Sequence, residues 1–434
     1  MANKNLGAAS LVSTMLQSDS IIIEVGGSIR RITLDNFMDS INQGDEQLLR
    51  QVAWGIPIKQ SIQSSPAWGR VGNLGMWEEY KTKCGRYLVT NDGKAAKLSV
   101  TNSGIYADGT LLNETKGNVM VISPRLYYLV KTDAQTNIPY VYFSQVPISG
   151  HFFEESVIAA YPGSMSGSSY VSRSGANLAP AKSITQYWQA AQQNGNQWGL
   201  VNYEHARKLM AFALSEYGNA NIQQVLGAGV GGDGSYKDIW SQASQLTTGA
   251  TKSLGDDFGK IDIDNFTAAD GSQTSNSCRI SLLGVEDWYG WQYQMLQGIY
   301  FGNSENPSQT GNEVFIYKGN RMPSSAELTT HPSGDYRTLQ RLTNEGYITE
   351  EILGEHFDLI PKKLGGGSTS NWCDYFYGNT TGQLCLWGGH ALYGSNCGVA
   401  SVYSSYAFSD ASSYFGSRLA YYGNLKDVDG KDIV

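Results

Sequence analysis

The spacing of apolar and polar positions changes several times in the first part of the chain. Ser20–Val25 is a β-branched run, Gly26-Gly27 supplies a tight turn, and Ser28–Thr33 returns as the second strand of a hairpin. Asp35 then opens a short predicted helix with Phe37, Met38 and Ile41 on one face, stopping near Gly44. Residues 45–54 predict a second helix with Leu48, Leu49 and Val52 as its stripe, closed by Gly55 and Pro57. A hairpin and two short amphipathic helices bury too little surface to stand alone. Residues 1–60 are therefore expected to be an attachment or oligomerisation module that packs on another protein or on further copies of itself.

Residues 61–116 alternate short apolar runs with turn signals: 86–90 before Asn91-Asp92-Gly93, 98–101 before Asn102-Ser103-Gly104, then Ala107-Asp108-Gly109. That pattern predicts a small, separate antiparallel β region. From 117 the apolar runs lengthen. Ser183 and Gln186 have capping-box spacing ahead of a helix with Tyr187, Trp188 and Ala191 on one face. Asn202 caps a second helix with Leu209, Met210, Ala213, Leu214 and Tyr217 inward and Gly218 as its stop. Trp291, Tyr293 and Met295 alternate as on a strand with one buried face. The expected class is α+β, with residues 117–434 as the large domain, its helices inserted on one side of the sheets. A chain beginning near Gly117 is expected to fold by itself.

At 434 residues, two or three domains and a real core are within reach. Aromatic residues make up 12%, charged residues only 16%, and there are 50 glycines, the profile of a loop-rich β protein with broad contact surfaces. A net charge of −8 and the absence of any Lys/Arg-rich run exclude nucleic acid as the main partner. The five cysteines are odd in number and lack zinc or thioredoxin spacing, so folding in a reducing cytoplasm without disulfides is expected. MANKNLGAASLVSTMLQSDS at the amino terminus has no sustained apolar core, so neither a signal peptide nor membrane insertion is expected.

Catalytic patterns are weak. The GxGxxG at 227–232 follows a predicted helix rather than a strand, which favours a flexible loop over a nucleotide site. Glu154-Glu155 and Glu286-Asp287 are the paired carboxylates. Neighbours on a strand point to opposite faces, so neither pair is expected to form a glycan-cleaving dyad. His151, His205, His331, His356 and His390 lack metal-ligand spacing, and Asp427-Val-Asp429-Gly430-Lys-Asp432 lacks the closing Glu of a calcium loop. No enzyme activity, cofactor or metal is expected.

The run GGHALYGSNCGVASVYSSYAFSDASSYFG at 388–416 is a Tyr/Ser/Gly mixture of the kind antibody paratopes favour, because Tyr gives rigid contact area and Ser, Gly and Asn adapt. Residues 388–425 contain no Met, Gln, Lys, Glu or Trp. These are the residue types that a codon ending in a pyrimidine cannot encode, so randomised adenines in asparagine codons would leave this repertoire.

The frame LCLWGG at 384–389, GSNCG at 394–398 and GSRLA at 416–420, preceded by LGGGSTSNWCDYFYGNTTGQL at 364–384, resembles the variable region of diversity-generating-retroelement targets. These are receptor-binding proteins with a C-type-lectin fold, including phage tropism determinants. GNVMVISPRLYYLV, VYFSQVPISG and AAYPGSMSG at 117–167 resemble the opening of lectin-like domains in phage tail proteins. LGVEDWYGWQYQMLQGIYFG at 283–302 holds the place of the aromatic core segment of formylglycine-generating enzymes and their non-catalytic relatives, although the match is positional. EVGGSIRRITLDNF at 24–37 resembles virion-anchoring segments of phage fibres.

The resemblance implies a phage or prophage tail-fibre tip, homotrimeric, joined to other tail proteins by its amino terminus and binding a bacterial surface receptor, protein or glycan. Such a protein folds in the host cytoplasm and acts on the virion tail. It implies a variable surface at 388–418, with receptor contacts at His390, Leu392, Tyr393, Val399, Ser401, Val402, Tyr403, Ser405, Asp410, Ser412, Ser413 and Tyr414. Trp291, Trp387, Gly389, Gly394, Gly398, Gly416, Arg418 and Leu419 would be scaffold, with the tryptophans, Arg418 and Leu419 buried. The alternatives are a glycan-degrading tailspike, a formylglycine-generating-type enzyme using Cys385 and Cys397, and a purely structural fibre or baseplate protein.

Overall fold

Strand Asn118–Ser123, an apolar run reading NVMVIS, is buried along its whole length, as a strand covered on both faces must be. It lies within an eight-stranded sheet of order Trp198–Leu200, Leu419–Tyr421, Ser156–Ala159, Asn118–Ser123, Gly85–Val89, Lys94–Ser99 and Lys426–Asp427, with Asn102–Tyr106 beside Lys94–Ser99. The computed structural model describes residues 20–25, 28–42, 46–59, 68–233, 236–370, 372–427 and 429–431. The expected Gly26-Gly27 turn, the helix stop at Gly44 and Asp432 lie outside these residues.

Helices and several β-sheets make this an α+β protein. Two expectations about its division fail. Gly85–Val89 pairs antiparallel with Asn118–Ser123, from Gly85 opposite Ile122 to Val89 opposite Asn118. The boundary expected at 116/117 therefore falls inside one sheet, and the separate β region does not exist. The turn chemistry marked the hairpins correctly but carries no information about which outer edge pairs with a later strand.

The second correction concerns residues 46–57. The helix ends at Val52, and Trp54–Pro57 is a fully buried strand. It sits in a five-stranded sheet of order Phe152–Phe153, Leu126–Thr132, Pro139–Ser144, Trp54–Pro57 and Val71–Gly72. Trp54 donates its indole N–H to Ser215 Oγ at 2.7 Å. Phe37, Ile41, Leu48, Leu49 and Val52 are buried in the same core as Trp77 and Phe212. The apolar faces of these two helices are thus covered by their own chain. The hairpin Ser20–Val25 with Ser28–Thr33 and the helix Leu34–Asn42 form as predicted.

Both later helices begin as expected. Ser183 and Gln186 form a capping box at Ile184–Gln192, Asn202 and His205 form one at Tyr203–Tyr217, and Gly218 closes the latter in the left-handed conformation. Tyr203–Tyr217 is buried on nearly every face, Arg207 and Lys208 included. It packs against Trp54–Pro57, Phe152–Phe153 and Cys278–Leu282, so it runs between sheets instead of covering one side of them. Lys208 fits there because its ammonium donates to the carbonyls of Ser123, Pro124 and Glu154 and to Ser156 Oγ, at 2.7 to 3.2 Å.

A seven-stranded sheet carries the Tyr-rich run, in the order Ile360–Leu364, Glu345–Ile352, Tyr375–Gly378, Val402–Ser404, Leu386–Trp387, Tyr293–Met295 and Phe415–Gly416. The chain leaves this sheet at Gly416 and enters the eight-stranded sheet at Leu419, so residues 417–418 join the two layers.

Candidate functional site: a tyrosine-rich face on a buried support

The support is built from indoles and ion pairs. Trp291, Trp387, Arg418 and Leu419 are each 0% exposed. Trp387 donates its indole N–H to the Val399 carbonyl at 2.5 Å, and Trp291 donates to Ala243 at 2.9 Å. The Arg279 guanidinium lies 4.1 Å from the Trp291 ring centroid, and both Glu286 and Asp287 hold it, at 3.0 and 2.5 Å. Arg418 donates to the backbone carbonyls of Glu286 and Asp287.

Glu286 and Asp287 therefore converge on one cation, against the expectation that they diverge. Asp287 adopts φ 45°, which breaks the strand alternation on which that expectation rested. The pair is structural: Glu286 also accepts from Gly249 and Thr251.

Glycines let the backbone layers approach. Gly389 has φ 77°, a conformation that L side chains rarely adopt, and a Cβ there would meet Cys397. Gly398 leaves no room beside Asp374, nor does Gly416 beside Gln292. Gly394 also has positive φ, inside the turn Ala391–Asn396. The GxGxxG segment is likewise a close-packing element and not the expected loose loop: Gly229 abuts Gly290, and Gly231 abuts the Ala391 carbonyl.

The twelve predicted contact residues separate into two layers. Five of them, His390, Leu392, Val399, Ser401 and Val402, are buried, which corrects the expectation that they meet a partner. His390 stacks on Tyr414 with ring centroids 4.7 Å apart, and burial pushes its imidazole down to about 3, keeping it neutral. Leu392 packs in a small core with Val230, Ile239 and Trp291. Val399 is the acceptor for Trp387. Ser401 Oγ donates to the Asn396 carbonyl and accepts from Tyr375 N–H. Along Val402–Ser404 the two outer side chains point inward and Tyr403 outward. Composition identified the segment but could not separate its inward-facing from its outward-facing positions.

The other seven reach solvent: Tyr393, Tyr403, Ser405, Asp410, Ser412, Ser413 and Tyr414. Asp410 accepts from Ala407 N–H at 2.9 Å and Ser412 from Tyr414 N–H at 3.3 Å, so both also shape the 405–414 turn.

Other segments extend this face, and the sequence reading missed them. Tyr377 stacks on Tyr403 at 4.4 Å with rings 6° from parallel, and Tyr406 lies 5.5 Å away from Tyr403. Trp240 donates to Ser413 Oγ at 3.0 Å and meets Tyr414 edge-on at 4.9 Å. Tyr236, 63% exposed, lies 5.8 Å from Tyr393. A pocket of about 200 Å³ opens among Tyr293, Tyr375, Tyr377, Tyr393, Tyr403, Glu345 and Asn396. One signal was available: along Tyr375–Gly378 the residues alternate partly exposed and buried, so YFYG reads as a strand offering two tyrosines.

The candidate catalytic groups lie elsewhere. Glu154 pairs with Arg125 at 2.8 Å and, with Glu155, lines a larger cavity of about 610 Å³ that includes His205 and Lys208 but not Glu286. Burial raises the Glu155 carboxyl, with Lys208 opposing and Glu154 adding to the shift; burial lowers Lys208 to about 7 and His205 to about 3. His205 Nδ1 accepts from Asn202 N–H, which ties it to the helix cap. Cys385 and Cys397 are buried free thiols, pushed up chiefly by burial. Among the described residues no group of three or more His, Cys, Asp or Glu is placed to hold a metal ion, and no helix is long and apolar enough to cross a membrane. No protein-family model and no curated protein sequence matches this chain.

Proposed function

We propose that this chain is a receptor-binding protein of the phage or prophage tail-fibre type, which holds a bacterial surface receptor through the tyrosine-rich face on a C-type-lectin-like scaffold. The observation that carries this reading is the layering of residues 388–416. The runs 388–392 and 397–402 are locked into a support of buried tryptophans and arginines, and Tyr393, Tyr403, Tyr406 and Tyr414 join Tyr236, Trp240, Tyr375 and Tyr377 in one aromatic surface. Solvent-reaching Tyr and Trp are the anchors that dominate protein contacts. The residue repertoire of 388–425 fits diversification at adenines, and a support that does not depend on the outer side chains tolerates such variation.

The reading is tested by combining Tyr393→Ala, Tyr403→Ala and Tyr414→Ala and measuring cell adsorption and melting temperature. Each truncation is expected to weaken contact by about 2 kcal/mol per site, abolishing adsorption while the protein still melts cooperatively. Unchanged adsorption by a folded variant places the receptor elsewhere. In a trimer, three sites would multiply the loss through avidity.

A further inference from the structure

The pocket of about 200 Å³ in the tyrosine face has a one-sided charge. Glu345 lines it, and neither Lys, Arg nor His does. Among the described residues Glu345 enters no ion pair, and its backbone sits opposite Tyr377 in the sheet, which fixes it at the rim. Burial and then the charge of Glu345 raise the Tyr375 hydroxyl, so the carboxylate is felt inside the pocket. Lys237 is on the neighbouring loop, where its amide donates to the Leu392 carbonyl, but its side chain is not part of the lining.

Aromatic rings attract cations through the negative potential of their faces, and a desolvated cation gains more than an exposed one. Phenolic oxygens and the Glu345 carboxylate, hydrogen-bonded to the Tyr375 hydroxyl but facing no cation among the described residues, add to that potential. Two neutral polar groups of the wall are already engaged, which leaves less for a hydroxyl-rich ligand. Ser401 Oγ is shared between Asn396 and Tyr375, and Asn396 Oδ1 accepts from Tyr347 at 2.5 Å. The volume suits the end of one long side chain; sites for drug-sized ligands run from about 300 Å³ upward.

We propose that this pocket is the anchor point for a single lysine or arginine side chain presented by a protein receptor, its cationic head held among the tyrosines and against Glu345. This rests on the receptor-binding reading above and specifies the receptor as a protein with a basic contact.

The test uses the intact protein and Glu345→Gln, an exposed position where the amide should not disturb folding. Nα-acetyl-arginine amide, Nα-acetyl-lysine amide, choline and methyl α-glucoside are titrated while tyrosine resonances are followed by NMR. The two amino-acid amides should bind in the millimolar range at the Tyr377 and Tyr403 signals, about tenfold more weakly to Glu345→Gln. Tightest binding by choline would point to a quaternary-ammonium headgroup and overturn the protein source; binding by the glucoside alone would overturn the cation itself. Cell adsorption separates this idea from the one beneath it. If the tyrosine variant fails to adsorb and Glu345→Gln adsorbs normally, the receptor face stands and the cationic anchor falls. If both adsorb normally, the receptor face falls too.

Discussion

Asp374 shows how a buried group can organise the site without facing a partner. Its Oδ1 accepts the Ala400 N–H at 2.9 Å, directly under the backbone that leads into Val402–Ser404. Burial raises its carboxyl to about 7, and buried Glu351, itself raised, lies within its electrostatic reach. The unfolded chain loses this proton near pH 4 and the folded protein near pH 7, so between those values the folded state binds more protons. Stability from this group therefore falls as pH rises from about 4 to about 7 and is level above that. Asp374→Asn keeps the acceptor oxygen but stays neutral. It should be more stable than the parent at pH 8, by roughly 2–4 kcal/mol, and little different at pH 4. Urea denaturation at the two pH values measures this; a variant less stable than the parent at pH 8 would mean that the charged carboxylate supports the loop.

Among the elements, what could be read from sequence was local and periodic. Two capping boxes and a left-handed helix stop at Gly218 needed only neighbours along the chain. The strand Tyr293–Met295 forms, but Gln292 and Gln294 are buried as well, so it has two covered faces and not the one expected from the alternation. What could not be read was set by contacts across long separations. Trp54–Pro57 is a strand because it pairs with Pro139–Ser144, overriding a helical period that ran up to it. Tyr236, Trp240 and Tyr377 join the site from distant segments, and no periodicity links them to 388–416. The glycine segment 227–232 is the sharpest case, since a motif read as a loose loop is the layer beneath the turn Ala391–Asn396. Gly231→Ala would collide with the Ala391 carbonyl. The variant should cost about 1–3 kcal/mol, as overpacking does, and should shift resonances of His390 and Tyr393 more than those of Tyr377. Equal disturbance of all three would show that the segment supports the whole sheet and not this turn.

The way the sheets close decides which parts of the chain can be removed. Strands Gly85–Val89 and Lys94–Ser99 occupy the eight-stranded sheet, and Trp54–Pro57 lies inside the five-stranded one. Cutting at 117 would leave Asn118–Ser123 and Pro139–Ser144 each without one paired neighbour, and would remove Trp54 and Trp77 and expose the apolar residues they cover, Phe143 and Phe212 among them. The hairpin differs, because Ser20–Val25 pairs only with Ser28–Thr33 among the described strands. A chain starting at Leu34 should therefore melt cooperatively within about 5 °C of the parent and adsorb to cells. One starting at 117 should be insoluble or melt without a cooperative transition. Calorimetry of the two chains decides the matter. A sharp transition in the shorter one would mean that the large sheets stand without their amino-terminal strands, and that the helix Glu46–Val52 and strand Trp54–Pro57 serve assembly after all. If the chain from Leu34 folds and adsorbs but no longer joins particles or self-associates, attachment is confined to the hairpin and whatever precedes it.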